Sequence, residues 1–303
     1  MKPPAFDYVA VASLDEALTA LADGGEDAKV LAGGQSLIPL LSLRLAYPSL
    51  LVDLNHVEEL AAIERTDGTL RIGAMVRHRV AERSPEIREA VPLVTAAMPS
   101  IGHAAIRSRG TVGGSCAHAD PAAELPAIAL ALDATFVARS RARGERTIAA
   151  DDFFGGYFTN ALEPDEILCA VDFPVLPAGT GVAVEEVSRR HGDFAMAGAV
   201  VAVTPDSTAR IGLINVAERP VRPVEAEEAF AAGASLDEVA ALATRDLEPS
   251  GDLHASPEYR KKVAGVCVRR ALARANRGAA TCRSSSPSTV SGAAPTSRPA
   301  RPW

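Results

Sequence analysis

Two paired glycines limit what this chain can fold into. They are Ala32-Gly33-Gly34-Gln35-Ser36 and Thr111-Val112-Gly113-Gly114-Ser115, each following an apolar stretch. Glycine has no Cβ, so the backbone can bend sharply there and come close to a ligand. Consecutive N–H groups in such a bend form a concave nest for an anion such as a diphosphate. The Ser and Thr hydroxyls add donors. One such loop reads equally well as an ordinary turn. Two of them, of the forms G-G-x-S and T-x-G-G-S, point to a ligand cleft between domains, where clefts concentrate. The sequence has no G-x-x-x-x-G-K-[ST] and no G-x-G-x-x-G after a strand. A P-loop and a dinucleotide-binding Rossmann fingerprint are therefore excluded, and a bound nucleotide needs another fold.

The 303 residues are 48% hydrophobic and 23% charged, which allows two or three domains with real cores. Collagen, coiled coil and wholesale disorder do not fit that composition. No apolar run reaches the about 18 residues of a membrane span. The first residues carry no secretory pattern, so a cytoplasmic location is expected. Net charge is −7; residues 277–303 hold four arginines and no acid, which leaves −11 for residues 1–276. An acidic body with only 4% aromatics offers neither the basic surface nor the stacking platforms of a nucleic-acid binder. Cys116, Cys169, Cys267 and Cys282 are scattered, with no C-x-x-C pair. That argues against a disulfide scaffold, a zinc ribbon and an iron–sulfur site on this chain.

Local patterns divide the chain into four parts: 1–55, 56–176, 177–276 and a tail, 277–303. The first reads as helix, strand, loop, helix, strand. Ser13-Leu14-Asp15-Glu16 fits a capping box, Leu14, Ala17, Leu18 and Leu21 follow at helical spacing, and Gly24-Gly25 stops the helix. The second part promises strands at 69–73, 135–138 and 168–173 and helices at 77–83 and 93–103. Another helix is expected from Asp120-Pro121 to Leu132, with Asp120 as N-cap. The third part shows strands at 181–188, 194–203 and 210–216, then helices at 225–232, 236–244 and 257–275, an α+β pattern. The Ser-, Pro- and Arg-rich tail lacks the apolar surface to order itself and is expected to be disordered or loosely held.

The two glycine motifs, continued by Ala117-His118-Ala119-Asp120-Pro121-Ala122-Ala123-Glu124-Leu125-Pro126, resemble the FAD-binding subunit of the molybdenum hydroxylases. That family includes the medium subunit of carbon monoxide dehydrogenase and the flavin domain of xanthine dehydrogenase. Ile101-Gly102, Ile106-Arg107, Pro164–Leu168 and Arg190–Ala195 add to the likeness, which covers about residues 1–275. The resemblance implies an α+β fold. Its two-part FAD-binding domain would be of the vanillyl-alcohol-oxidase or p-cresol-methylhydroxylase type, and a C-terminal α+β domain would close over the flavin. It implies that Ala32, Gly33, Gly34, Gln35, Ser36 and Leu37 wrap the diphosphate and ribityl chain, with Thr111, Val112, Gly113, Gly114 and Ser115 on the other side. Glu124 would meet the adenosine ribose, Leu168 would pack near flavin or adenine, and Phe194 would lie beside the isoalloxazine. Lys29, Ile101, Gly102, Ala117 and Asp120 also fall at cofactor-binding positions. Met196 stands where xanthine dehydrogenases carry a lysine, which favours the branch with separate subunits.

The resemblance further implies that molybdopterin sits on a large partner chain and [2Fe–2S] clusters on a small one. FAD here would relay electrons to an external acceptor, and no catalytic residue or metal is expected on this chain. The alternatives are a self-contained flavin oxidoreductase, which needs its own proton donor, and a flavin-binding module without turnover.

Other residues invite other chemistry. Cys116, His118 and Asp120 alternate and would share one face of a strand, with His103 as a fourth metal ligand. Asp120 has a competing use as a helix cap. Ser36 and Ser115 are not in G-x-S-x-G, which argues against a hydrolase. Cys169 and Cys267 read as small buried hydrophobes, and Cys282 as an exposed thiol. His56, His78 and His254 read as surface histidines. His191 is either in a solvated loop or close to the flavin.

Overall fold

The computed structural model of the chain describes residues 2–285. It opens with a three-stranded parallel sheet of Asp7–Ala10, Ala28–Leu31 and Leu50–Asp53, with the last strand in the middle. Helix Leu14–Gly24 crosses between the first two. Its start is capped by Ser13, whose hydroxyl oxygen accepts the Glu16 N–H at 3.2 Å. The Glu16 carboxylate takes the Ala12 N–H at 2.8 Å rather than that of Ser13, so the box closes one residue early. Gly25, at φ +68°, ends the helix. Leu14, Ala17, Leu18 and Leu21 bury its inner stripe against Val52, Leu54, Met75 and Ile167.

A five-stranded antiparallel sheet follows, in the order Ile63–Thr66, Thr69–Gly73, Glu166–Pro174, Thr135–Ser140, Gly144–Ala149. Cys169 forms a bulge in its central strand. Six short helices separate its strands Thr69–Gly73 and Thr135–Ser140 in the chain: His78–Arg83, Pro85–Ala90, Pro92–Ala97, Ala104–Arg109, Val112–His118 and Glu124–Ala131. The helix expected over 93–103 is cut short at Ala97, and Gly102 beyond it adopts φ +52°. The helix expected from Asp120 starts at Glu124 instead. Asp120 caps nothing helical; its carboxylate accepts the Ala122 N–H at 2.9 Å and makes a tight turn.

The remaining strands, Gly181–Val187, Ala197–Val203 and Ala209–Ile214, form an antiparallel meander. Helices Val224–Ala231, Leu236–Thr244 and Pro257–Ser285 complete the fold. The long helix runs ten residues past the expected 275, into the arginine-bearing tail. Residues 286–303 of the tail lie outside the described residues. Among the described residues, no helix is long and apolar enough to cross a membrane.

The meander is buried on both faces. Val200, Ala202 and Ile214 join the core of the five-stranded sheet, with Phe136, Phe173 and Leu93. Val201, Ile211 and Leu213 face the long helix through Val268 and Leu272. Gly212 lies directly on helix Glu124–Ala131, where any Cβ would overlap the Ala127 carbonyl. Gly212→Ala is therefore expected to destabilise the chain by roughly 1–3 kcal/mol through overpacking. A lower midpoint at unchanged slope in urea unfolding is the expected readout.

Candidate functional site

Two of the parallel strands, Ala28–Leu31 and Leu50–Asp53, end side by side, and a cleft of about 470 Å³ opens at their carboxyl ends. Open parallel sheets bind ligands at that end. Leu31, Ala32, Gly33, Gly34, Gln35, Ile38, Pro39, Asp53, Asn55 and Arg109 line it. Gly34 has φ +72°, a left-handed bend that side chains resist. Gly33 has a different job: a Cβ there would strike the Arg109 carbonyl, so its lack of a side chain lets the first loop seat against the second segment. The Gln35 side chain closes the bend by donating to Gly33 O at 3.1 Å. Ser36 precedes helix Leu37–Ser42 without capping it. Lys29 is exposed on its strand.

The second glycine pair is not a loop. Gly113 and Gly114 occupy the first turn of helix Val112–His118, whose N-cap is Thr111. The Thr111 oxygen accepts the Gly114 N–H at 3.0 Å. Gly113 presses on Ala74, where a Cβ would overlap. A Cβ on Gly114 would lie 3.6 Å from that of Ala32, so the two motifs are neighbours. Three of the four glycine vacancies are thus filled by the chain itself. They bring the segments together before any ligand enters.

Sequence reasoning missed a polar network behind the cleft. Asp53 accepts from the Tyr8 hydroxyl at 2.6 Å and from the Asn55 N–H at 2.9 Å. The Asn55 amide donates to Ala32 O at 3.1 Å, and Arg77 bridges Asn55 to the Arg109 carbonyl. The hydrogen bond to Asp53 holds the Tyr8 phenol above its ordinary range. His78, expected at the surface, is only 4% exposed. Its backbone N–H donates to Gly110 O at 2.9 Å, and its Nε2 lies 2.9 Å from Thr111 O. Burial pushes its pKa down to about 4, so the ring is neutral and Nε2 carries the proton. His78 therefore anchors the residue that caps the glycine helix. Asp53-Leu54-Asn55 was findable, because it directly follows a parallel strand. Arg77 and His78 left no such signal.

The other expected positions lie away from this cleft lining. Arg107, buried and paired with Glu82 at 3.1 Å, donates to the carbonyls of Ile101 (3.2 Å) and Gly102 (2.8 Å). The Ala117 carbonyl takes the Asn160 amide at 2.6 Å. Leu168 is buried within the main core. Phe194 is not in a strand but on the loop before Ala197, 71% exposed. His191, on the same loop, stands 6.4 Å from the ring of His103. Cys116 and His118 lie in a helix, not a strand, and residues two apart on a helix do not face each other. Burial pushes the Cys116 thiol up to about 12, and His118 packs on Phe158.

Glu124 opens helix Glu124–Ala131 and is almost wholly buried. Burial, followed by the nearby Glu186, pushes its carboxyl up to about 8.

Comparison with known proteins places this architecture. Residues 4–176 match the family described as the FAD binding domain in molybdopterin dehydrogenase, and 182–275 match the CO dehydrogenase flavoprotein C-terminal domain. The chain belongs to this family of FAD-binding oxidoreductase subunits, the medium subunits of molybdenum hydroxylases of the carbon monoxide dehydrogenase type, and its cofactor is FAD. Among its relatives is the alpha subunit of the 6-hydroxypseudooxynicotine dehydrogenase complex of Paenarthrobacter nicotinovorans. The two are 44% identical over 91% of this chain and 96% of the relative. Caffeine dehydrogenase subunit beta of Pseudomonas sp. (strain CBB1) is 41% identical over 91% and 96%. A solved structure of carbon monoxide dehydrogenase from Hydrogenophaga pseudoflava superposes with a TM-score of 0.88 at 38% identity, covering 92% of this chain and 99% of that one.

The state of Glu124 has a measurable consequence. Its folded pKa lies above the unfolded value of 4.5, so folding takes up a proton between those limits. Its stabilising contribution is complete below about pH 4.5 and lost as pH rises towards about 8, at no more than about 1.4 kcal/mol per pH unit. Glu124→Gln should flatten that slope in denaturant unfolding measured from pH 5 to 8.

Proposed function

We propose that this chain carries electrons, through FAD, between the two partner chains of a molybdenum hydroxylase and an external acceptor. A large chain holds molybdopterin and oxidises the substrate. A small chain holds [2Fe–2S] clusters and passes electrons to FAD here. The complex is cytoplasmic. The observation that carries this reading is the contact between the two glycine segments, Ala32 against Gly114 and Gly33 against the Arg109 carbonyl, with Ala32, Gly33 and Arg109 themselves lining the cleft.

The residues present fit FAD. The Ala32–Gln35 bend contributes four residues to the cleft wall, with Arg109 as its cation. The carboxylate on its lining, Asp53, is occupied by Tyr8 and Asn55 and so is turned to structural use. Such a wall suits a diphosphate better than a neutral or cationic ligand. In this reading Ala32 to Leu37 hold the diphosphate from one side and Thr111 to Ser115 from the other. His78 keeps Thr111 in register, and Arg107 fixes the Ile101–Gly102 turn. Lys29, Ala117, Asp120, Glu124, Leu168 and Phe194 would complete the site along the length of the cofactor. Bound FAD supplies the redox chemistry; the chain supplies position, charge and exclusion of water. No acid–base pair on this chain has to act on the substrate.

Gly34→Val should lose FAD because valine cannot adopt the bend at φ +72°. Gly114→Val should lose it because the new side chain would displace Thr111 Oγ1, 2.6 Å from its Cβ. Flavin absorbance per purified chain is expected to fall at least tenfold in both. Unchanged flavin content in both variants would overturn the assignment. Affinity purification of the native chain should bring down a molybdopterin chain and an iron–sulfur chain; turnover of a substrate by the chain alone would contradict the reading.

A further inference from the structure

The loop of residues 188–196 joins strands Gly181–Val187 and Ala197–Val203. It carries Phe194, 71% exposed although the next residue, Ala195, is buried in the main core. The loop is tied down at its base and near its tip. The Met196 N–H donates to Val187 O at 2.7 Å. Gly192, at φ +86°, rests on the imidazole of His103, where a Cβ would come within 2.6 Å of Cε1. A bare aromatic ring on a fixed backbone is a platform for a planar partner.

The place of this platform suits FAD. His103 precedes helix Ala104–Arg109, and Arg109 at the other end lines the glycine cleft. Six helical residues span about 9 Å. In FAD the ribityl chain sets the flavin ring a comparable distance from the diphosphate.

Two side chains from elsewhere hold the segment that follows Phe194. Asn215, just past strand Ala209–Ile214, donates its side-chain amide to Ala195 O at 2.6 Å. Its backbone is at φ +57°, a left-handed conformation that asparagine accepts more readily than most residues. Its N–H donates to Pro121 O at 2.8 Å, which ties the loop to the Asp120–Pro121 turn. Arg260, in the long helix and only 4% exposed, donates from Nη1 to Met196 O at 2.6 Å and from Nη2 to Asp252 at 2.5 Å. Asp252 also accepts the N–H groups of His254 at 2.7 Å and Ala255 at 2.9 Å, so the arginine is itself held. Asn215 and Arg260 line one cavity of about 190 Å³ and are neighbours. Arg260 Nε is buried with no partner. Packing alone would be served as well by an apolar side chain. What the arginine adds is a fixed grip on Met196 O.

We propose that Asn215 and Arg260 are positioning residues that hold Phe194 as the stacking surface for the flavin ring of FAD. Each acts through a backbone carbonyl of the loop. The place of Phe194 beside the flavin rests on the function proposed above; the grip on its loop is a property of the chain itself.

Titration of the flavin-stripped, full-length chain with FAD and with ADP separates the ring from the diphosphate, because ADP carries a diphosphate but no flavin. Phe194→Ala should weaken FAD about three- to tenfold and leave ADP unchanged. Asn215→Gly keeps the left-handed backbone and loses the amide. Arg260→Lys keeps the charge beside Asp252 and loses the planar fork. Each should weaken FAD about three- to tenfold, again with ADP unchanged. In the Phe194→Ala background neither should weaken FAD further, because the ring through which they act is gone. If Arg260→Lys does not fold, Asn215→Gly decides the matter alone. A merely structural role would weaken ADP and FAD alike, or would add to the effect of Phe194→Ala, and either result overturns the proposal. FAD affinity unmoved in Phe194→Ala, or in Asn215→Gly, overturns it too while leaving the FAD site standing. A wild-type chain that binds neither FAD nor ADP would overturn the function proposed above, and this role with it.

Discussion

The structure depends on a contact between two stretches of backbone with no side chain between them. Gly33 rests on the Arg109 carbonyl, Gly113 on Ala74, and Gly114 beside Ala32 and Thr111. Of these approaches, those of Gly33 and Gly114 set the end of a parallel strand, which lines the cleft, beside the start of a short helix, which does not. A Cβ at Gly33 would push the first loop off the Arg109 carbonyl, and one at Gly113 would push the short helix off Ala74. The polar chain Tyr8–Asp53–Asn55–Arg77 then ties the same segments together from behind. The cleft is thus formed by packing and hydrogen bonding within the chain. That preorganisation spares a ligand the ordering cost it would otherwise meet.

Charge is distributed to match. The chain is acidic overall, yet the cleft lining exposes Arg109 and keeps Asp53 occupied. Away from the cleft, burial raises the pKa of the Glu124 carboxyl to about 8 and also pushes that of Glu186 up. The C-terminal meander is not a loosely hinged cover. Its Val200, Ala202 and Ile214 belong to the same core as Phe136 and Leu93, so the junction is as fixed as the sheets on either side.

Much of the fold could be read from the chain where burial was strong. Leu14, Ala17, Leu18 and Leu21 marked a helix because one stripe of it is buried. The apolar run of Ala197–Val203 marked a strand because both of its faces are covered. Strands Asp7–Ala10, Ile63–Thr66 and Gly144–Ala149 escaped notice because they sit at sheet edges, mostly exposed, and carry no alternation. Of the two glycine motifs, the first lines a cleft and the second packs beside it: Gly34 serves a bend, whereas Gly33, Gly113 and Gly114 serve contact within the chain. Asp120 misled because Asp-Pro suits a turn as well as a helix cap. His78 and Arg77 were invisible, since their work depends on the distant residues Thr111 and Asn55. The likeness to the molybdenum hydroxylase flavin subunits, by contrast, was carried by motifs that the family comparison spans in full.

The central claim is that both glycine segments close on one diphosphate. Hydrogen exchange of the full-length chain with and without FAD tests it most directly. The account predicts that amides in 32–37 and in 111–116 gain protection together, at the same FAD concentration, with ADP producing the same paired response at higher concentration. Protection of one segment without the other, or of neither while FAD binds, would contradict it.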